Sequence, residues 1–334
     1  MKRLEALVNV FVNMLTESRT HPHTVRLFRR VVYGWYLLSV LMLAPAARQF
    51  WGPDSLIPLQ PVRPVPLLQL LDLPAVRPWF PLFVIAEVVL LIVGMTCRWP
   101  RITALLIYIV SMNLNNRAWV VLDGGDNLMQ IMLIYLIFMD PSLPAAESKP
   151  GILTWTSNAI TNAVFLIARL QVVAVYIVAG LGKVTGQLWQ NGTAIFYTLS
   201  VDDFTLPAVR SFVADYPLFS VVATYVTLLY QVSFPWLIWN RRFRPWLMAL
   251  GTAIHLQIAL VMGLFSFGLA VMSSYVVFFT DAKSAAVMAA LRARARVGKL
   301  SHPSLLYREG PFGWRRNPTP TSAESAERTS LPAQ

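Results

Sequence analysis

Apolar residues in this chain come in long blocks. They do not follow the every-second-residue alternation of a half-buried strand. Eight blocks read as membrane-crossing helices, at about 31–47, 79–97, 101–116, 126–140, 159–183, 217–239, 246–263 and 266–281, because roughly 20 apolar residues span a hydrocarbon core as a helix. The third and fourth blocks are short, which fits a tilted or partly buried pair. Two long loops separate the blocks. One is Pro-rich, from Trp51 to Pro78, and the other runs from Trp189 to Tyr216 and carries Asp202 and Asp203. Before the first block, Leu4, Leu7, Val8, Phe11 and Leu15 recur at helical spacing among Lys2, Arg3, Glu5 and Glu17. That pattern predicts an amphipathic helix over residues 1–23, lying on the membrane surface or packed on the bundle. Residues 285–334 turn basic and then rich in Ser, Thr, Pro and Glu, the composition of a disordered tail. The expected fold is all-α, a polytopic membrane bundle of about eight transmembrane helices over residues 24–284 with an interfacial N-terminal helix.

Composition removes the other classes. Of 334 residues, 56% are hydrophobic and 13% charged, with a mean hydropathy of +0.55, which excludes an ordinary soluble domain and a disordered chain. A single cysteine, Cys97, excludes an intrachain disulfide framework. One cysteine and four histidines give no basis for a zinc site, and no metal is expected. The net charge of +12 would suggest nucleic acid in a soluble chain. Here it lies between apolar blocks, where it records topology, and no nucleic-acid partner is expected. With both termini inside and eight crossings, 21 of the 28 Lys and Arg residues fall on the inner side, five outside and two within a span. In a bacterium that orientation means the cytoplasmic (inner) membrane, with both termini cytoplasmic and membrane lipid as the surrounding partner. Phosphate-binding, zinc-protease and nucleophile-elbow motifs are absent, and no internal repeat suggests a transporter.

Polar residues inside the blocks each need a reason, because charge in a bilayer is costly. Glu87 reads as a structural partner for a basic group. Arg169 either pairs with Glu87 or reaches the inner headgroups. Lys183 closes the run Tyr176-Ile177-Val178-Ala179-Gly180-Leu181-Gly182-Lys183. Tyr176 and Lys183, seven apart, share one helix face, and the small residues between them admit another helix or a flat ligand. A lysine in apolar surroundings can serve as a neutral amine base, although one at a span's end also reaches headgroups. His255, in the middle of the seventh block, requires a hydrogen-bond partner. It is a proton carrier, a ligand to a polar headgroup or a histidine bonded to a neighbouring helix. Asn113, Asn115, Asn116 and Arg117 end the third block, and Asp123-Gly124-Gly125-Asp126-Asn127 opens the fourth. These residues either cap the helix, through Asp126 or Asn127, or form a polar outer rim facing the same cavity as Lys183.

Taken in order, these islands resemble the HTTM (horizontally transferred transmembrane) family, which includes the membrane domain of vitamin K-dependent γ-carboxylase. The matching pieces are Asn115-Asn116-Arg117 with Asp123-Gly124-Gly125-Asp126, the Tyr176 to Lys183 run, and Trp189-Gln190-Asn191-Gly192-Thr193-Ala194. They continue with Arg241-Arg242-Phe243-Arg244-Pro245, His255 and Met262-Gly263-Leu264-Phe265-Ser266-Phe267. The resemblance covers roughly residues 24–282. It implies a carboxylase-like lyase using reduced vitamin K or another naphthoquinone. Lys183 would be the base and His255 a proton-exchanging or orienting partner, with Tyr176, Gly180, Asn116 and Arg117 lining the cofactor site. Two departures stand out. The carboxylase carries a large lumenal domain after its membrane part, and a histidine where Arg117 stands here. The sequence is also similar to a bacterial membrane protein of this type that helps mature a secreted toxin in the sporulation-delaying system. That likeness implies an alternative: an accessory membrane protein for maturation, export or immunity of a secreted peptide, with that peptide or protein as partner.

Overall fold

A computed structural model describes residues 12–13, 15–59, 65–96, 98–143, 151–202 and 205–300. The described chain is all helical, without a strand among the described residues. The main helices are α1 (Pro22–Leu43), α2 (Phe80–Met95), α3 (Pro100–Arg117), α4 (Gly124–Phe138), α5 (Ile152–Val184), α6 (Pro217–Leu237), α7 (Arg244–Val261), α8 (Phe265–Ser274) and α9 (Asp281–Leu300). Every apolar block of the sequence is therefore a helix. Four helical stretches, Pro22–Trp51, Arg77–Met95, Ile152–Val184 and Pro217–Leu237, are long and apolar enough to cross a membrane. Most of the expected N-terminal helix, and the tail after Leu300, lie outside the described residues. The start of the expected disordered tail is instead helical, since α9 runs from Asp281 to Leu300.

Local chemistry explains many of the boundaries. Proline stands in the first turn of α1, α2, α3, α6 and α7, where its missing N–H is no loss. A capping box starts α4. Asp123 Oδ1 accepts from the amides of Gly125 and Asp126, and Asp126 Oδ2 accepts from the Asp123 amide. The cap is thus Asp123, not Asp126 or Asn127. Asp126 is the returning half of the box.

Residues up to Met288 form one compact body. Within it α1, α2, α3, α4 and α8 pack successively side by side, and α8 closes back on α1. Helices α5, α6 and α7 form a second group, joined to the first where α7 meets α8 and α5 meets α4. The α7–α8 approach requires Gly268, because a Cβ there would stand 2.8 Å from the Ala259 Cβ. Large apolar side chains also face outward, such as Trp236 and Trp246, 76% and 75% exposed. A water-facing surface does not display such residues in number, but a lipid-facing one does.

Residues from Ala289 onward form a second unit, of which the continuation of α9 to Leu300 is described.

Candidate functional site

Four aromatic side chains and one glycine build a buried polar knot where α5, α6, α7 and the turn after α8 meet. The hydroxyls of Tyr176 and Tyr275 are hydrogen-bonded to each other. Tyr230 Oη lies 3.2 Å from Tyr176 Oη and 3.0 Å from Tyr275 Oη. A hydroxyl donates one hydrogen and accepts others, so three hydroxyls in a triangle can satisfy one another. Phe234 stacks on Tyr176, ring centroids 3.9 Å apart. Gly251 leaves the space the triangle needs, since a Cβ there would overlap the Tyr230 and Tyr275 hydroxyls.

His255 lies one turn after Gly251 on α7 and ties the triangle to a cavity. Its Nδ1 lies 2.7 Å from the Gly251 carbonyl oxygen and 3.2 Å from Tyr275 Oη. A backbone carbonyl only accepts, so Nδ1 carries the proton and donates to it. In a neutral ring Nε2 is then the free base. His255 also lines a cavity of about 250 Å³ together with Lys183, Trp189, Gln231, Gln257 and Phe267. The Lys183 ammonium stands 5.1 Å from the Trp189 ring centroid, a cation–π placement. No carboxylate forms an ion pair with it among the described residues.

Proline shapes one wall of this cavity. Pro235 sits inside α6 and has no N–H to give the carbonyl of Gln231 four residues back. That carbonyl faces Gly180, whose added Cβ would stand 3.5 Å from it. Gln231 Oε1 is buried without a hydrogen-bond partner. A second cavity of about 400 Å³ adjoins the first, sharing Ile195, Leu199, Thr227, Ile254 and Gln257. It is walled by Val209, Phe212 and Phe219. The two make a groove with an amine and an imidazole at one end and apolar walls at the other. Such a groove can hold an amphipathic ligand and offer it a base.

The residues singled out in the sequence separate into groups. Lys183 and His255 line one cavity. Tyr176 lies behind it in the hydroxyl triangle, and Gly180 packs on α6. Asn116 and Arg117 do not line that cavity. Asn116 Nδ2 donates to the Leu68 carbonyl at 2.7 Å, and Arg117 donates to the Ile57 carbonyl at 2.9 Å. With Asn113, which donates to the Leu67 carbonyl, they clamp the Pro-rich loop to the end of α3. Glu87 and Arg169 do not pair. Ser111 Oγ donates to Glu87 at 2.5 Å, whereas Arg169 Nε donates to the Val277 carbonyl at 2.8 Å. Tyr230, Tyr275 and Gly251 were not singled out. The two tyrosines carry one signal, a hydroxyl within an apolar block that must find a partner; Gly251 carries none.

No family model matches this chain, and no solved structure matches it. Two proteins of Bacillus subtilis (strain 168) are similar to it. One is the uncharacterized protein YitO, 29% identical over 215 residues, which is 60% of this chain and 66% of YitO. The other is the sporulation-delaying protein SdpB, 25% identical over 189 residues, 54% of this chain and 58% of SdpB. The match to this chain covers less than two thirds of each relative's length.

Proposed function

We propose that this chain is an integral membrane protein that serves the maturation, export or immunity of a secreted peptide, with the groove ending at Lys183 and His255 as the place where that peptide is engaged. The similarity to a sporulation-delaying protein carries this reading. The groove supports it, because a hydrophobic peptide segment suits the walls around Phe212 and Phe219, and its polar end suits an amine and an imidazole. The test compares the culture medium of cells carrying the wild type, Lys183→Ala or no copy, by mass spectrometry of small secreted peptides. The expected result is that at least one processed peptide is lost both without the protein and with Lys183→Ala, at equal membrane abundance. An unchanged set of secreted peptides in the deletion strain would sink the proposal.

A second reading rests on Lys183 and His255 sharing one cavity, as the HTTM resemblance implies. The cavity's lining includes the aromatic residues Trp189 and Phe267, against which a flat naphthoquinone would lie, and the unpartnered Gln231 Oε1 would offer its hydroxyl an acceptor. Bound there, a reduced quinone would supply an oxygen-driven strong base for carboxylation. Lys183 would accept a proton at Nζ, His255 would exchange one at Nε2, and the apolar walls would exclude water. Purified wild type given reduced naphthoquinone and oxygen would then show oxygen uptake and epoxide, and Lys183→Ala would not. Uptake equal in both would remove Lys183 from that role.

We further propose eight crossings with both ends inside. All eight apolar blocks are helical; α3 and α7 have 18 residues each, about 27 Å of helix, and the shorter apolar helices Gly124–Phe138 and Phe265–Phe278 would cross where the bilayer thins around the bundle. In a Cys97→Ser background, Leu56→Cys and Asn191→Cys should react with a membrane-impermeant maleimide on intact cells. Asn240→Cys should react only after permeabilisation. The reverse pattern would invert the topology.

A further inference from the structure

On the side opposite the Pro-rich loop, three arginines converge on a single carboxylate, none of them ion-paired. Arg169 projects from the middle of α5 into a cavity of about 350 Å³, whose lining also holds Arg241, Arg244, His21, Thr20 and Asp281. Ordinary accounting would demand carboxylates here, because a charge in a span is costly unless paired. The ion pairs among the described residues are Arg19–Asp140, Arg48–Asp54 and Arg210–Asp202, and none involves these three arginines. Asp281 is the sole acid in the lining, and its Oδ1 is committed to the Thr24 amide at 2.9 Å and to the Thr24 hydroxyl.

Two of the three arginines are held in place. Arg169 uses Nε on the Val277 carbonyl and stacks over Phe165, 4.6 Å from its centroid. Its terminal nitrogens are left for the cavity. Arg244 is anchored to the carbonyls of Ile238, Trp239 and Phe278, and Arg241 is exposed at the rim. Burial, and then Arg169 nearby, holds the His21 imidazole down to about 4. It is therefore neutral near pH 7, and the lining keeps two net positive charges, three arginines against one aspartate. Preset guanidinium groups of this kind match the oxygens of a phosphate. A second cavity of about 470 Å³ continues from the first past Arg241, Arg244 and Phe279. Its walls are Pro245, Met248 and Phe278, and it also takes in Lys283. A polar end with an excess of cations, continued by an apolar cleft, has the form of one phospholipid.

We infer that this cleft binds the phosphate of an anionic phospholipid, with the headgroup among Arg169, Arg244 and Arg241 and the glycerol and upper acyl chains along Met248 and Phe278. Free inorganic phosphate shares the headgroup chemistry but makes no use of the apolar cleft. Basic pockets between membrane helices on the inner side commonly take such headgroups. The inference stands on this cleft alone and is independent of the peptide and quinone readings above.

The experiment uses the full chain, purified in detergent and stripped of lipid. Dioleoylphosphatidylglycerol, dioleoylphosphatidylcholine and inorganic phosphate are titrated separately, followed by native mass spectrometry and by the melting midpoint. Phosphatidylglycerol should bind at least tenfold tighter than phosphatidylcholine and raise the midpoint, with phosphate adding little. Arg169→Gln and Arg241→Gln should each weaken phosphatidylglycerol at least threefold, whereas Arg169→Lys should retain part of the preference. Arg241 is exposed, so its substitution tests the charge without risk to the fold. Equal binding of the two lipids, or wild-type preference in both glutamine variants, would overturn the inference. Phosphate reproducing the full midpoint shift would assign the cleft to the free anion and overturn the lipid assignment.

Discussion

Arg29→Ala should lower stability by about 3 kcal/mol or more, the sum of an unfilled core volume and buried acceptors left without donors. Arg29 is fully buried on α1. Its terminal nitrogens donate to Tyr33 Oη at 2.8 Å, to the Pro100 carbonyl at 2.8 Å and to the Leu136 carbonyl at 3.0 Å. One side chain thereby joins α1 to the start of α3 and the end of α4. No carboxylate takes part, so the cation is solvated by two carbonyl dipoles and the Tyr33 hydroxyl. Arg29→Met should therefore cost less than Arg29→Ala. It keeps much of the stem volume and also removes a desolvated charge, which offsets part of the lost hydrogen bonding. Unfolding of the purified protein in detergent measures both. An alanine variant as stable as the wild type, or a methionine variant less stable than alanine, would refute this account of the hub.

Gly251→Ala should destabilise by about 1–3 kcal/mol through overpacking and should also impair whatever the Lys183–His255 cavity does. The added Cβ would occupy the space of the Tyr230 and Tyr275 hydroxyls. The Gly251 carbonyl fixes the His255 ring through Nδ1, so a shifted α7 turns the imidazole in the cavity. Tyr230→Phe removes one of the clashing oxygens. The double variant Gly251→Ala/Tyr230→Phe should thus be less destabilised than the sum of the singles, a coupling that a double-mutant cycle resolves. Strict additivity would mean that the hydroxyl triangle is not what Gly251 accommodates.

Glu87 and Arg169 show where pairing rules read from sequence stop. Opposite charges in two apolar blocks suggest each other as partners, yet Glu87 is held by Ser111 and Arg169 by a carbonyl and a ring. The rule states that a buried charge needs company. It cannot state which helix faces supply it. Asn116 and Arg117 make the same point at a helix end. The sequence marks the end as polar, and only the path of the Pro-rich loop decides that those groups hold its carbonyls instead of facing Lys183.

The order of residues was enough for the helical class, the positions of the eight apolar helices and the turn at Asp123–Asp126. Each of these depends on residues within a few positions of one another, through period, block length and local hydrogen bonding. It also marked Lys183 and His255 as polar residues that an apolar block must account for. The tertiary structure alone decided the rest. It placed Lys183 and His255 around one cavity, closed the hydroxyl triangle of Tyr176, Tyr230 and Tyr275, sank Arg29 into the core and gathered Arg169, Arg241 and Arg244 around one cleft. Those groups lie tens of residues or more apart along the chain. They meet through the rotation and crossing of whole helices, which the side chains on every contacting face set together and no single segment encodes.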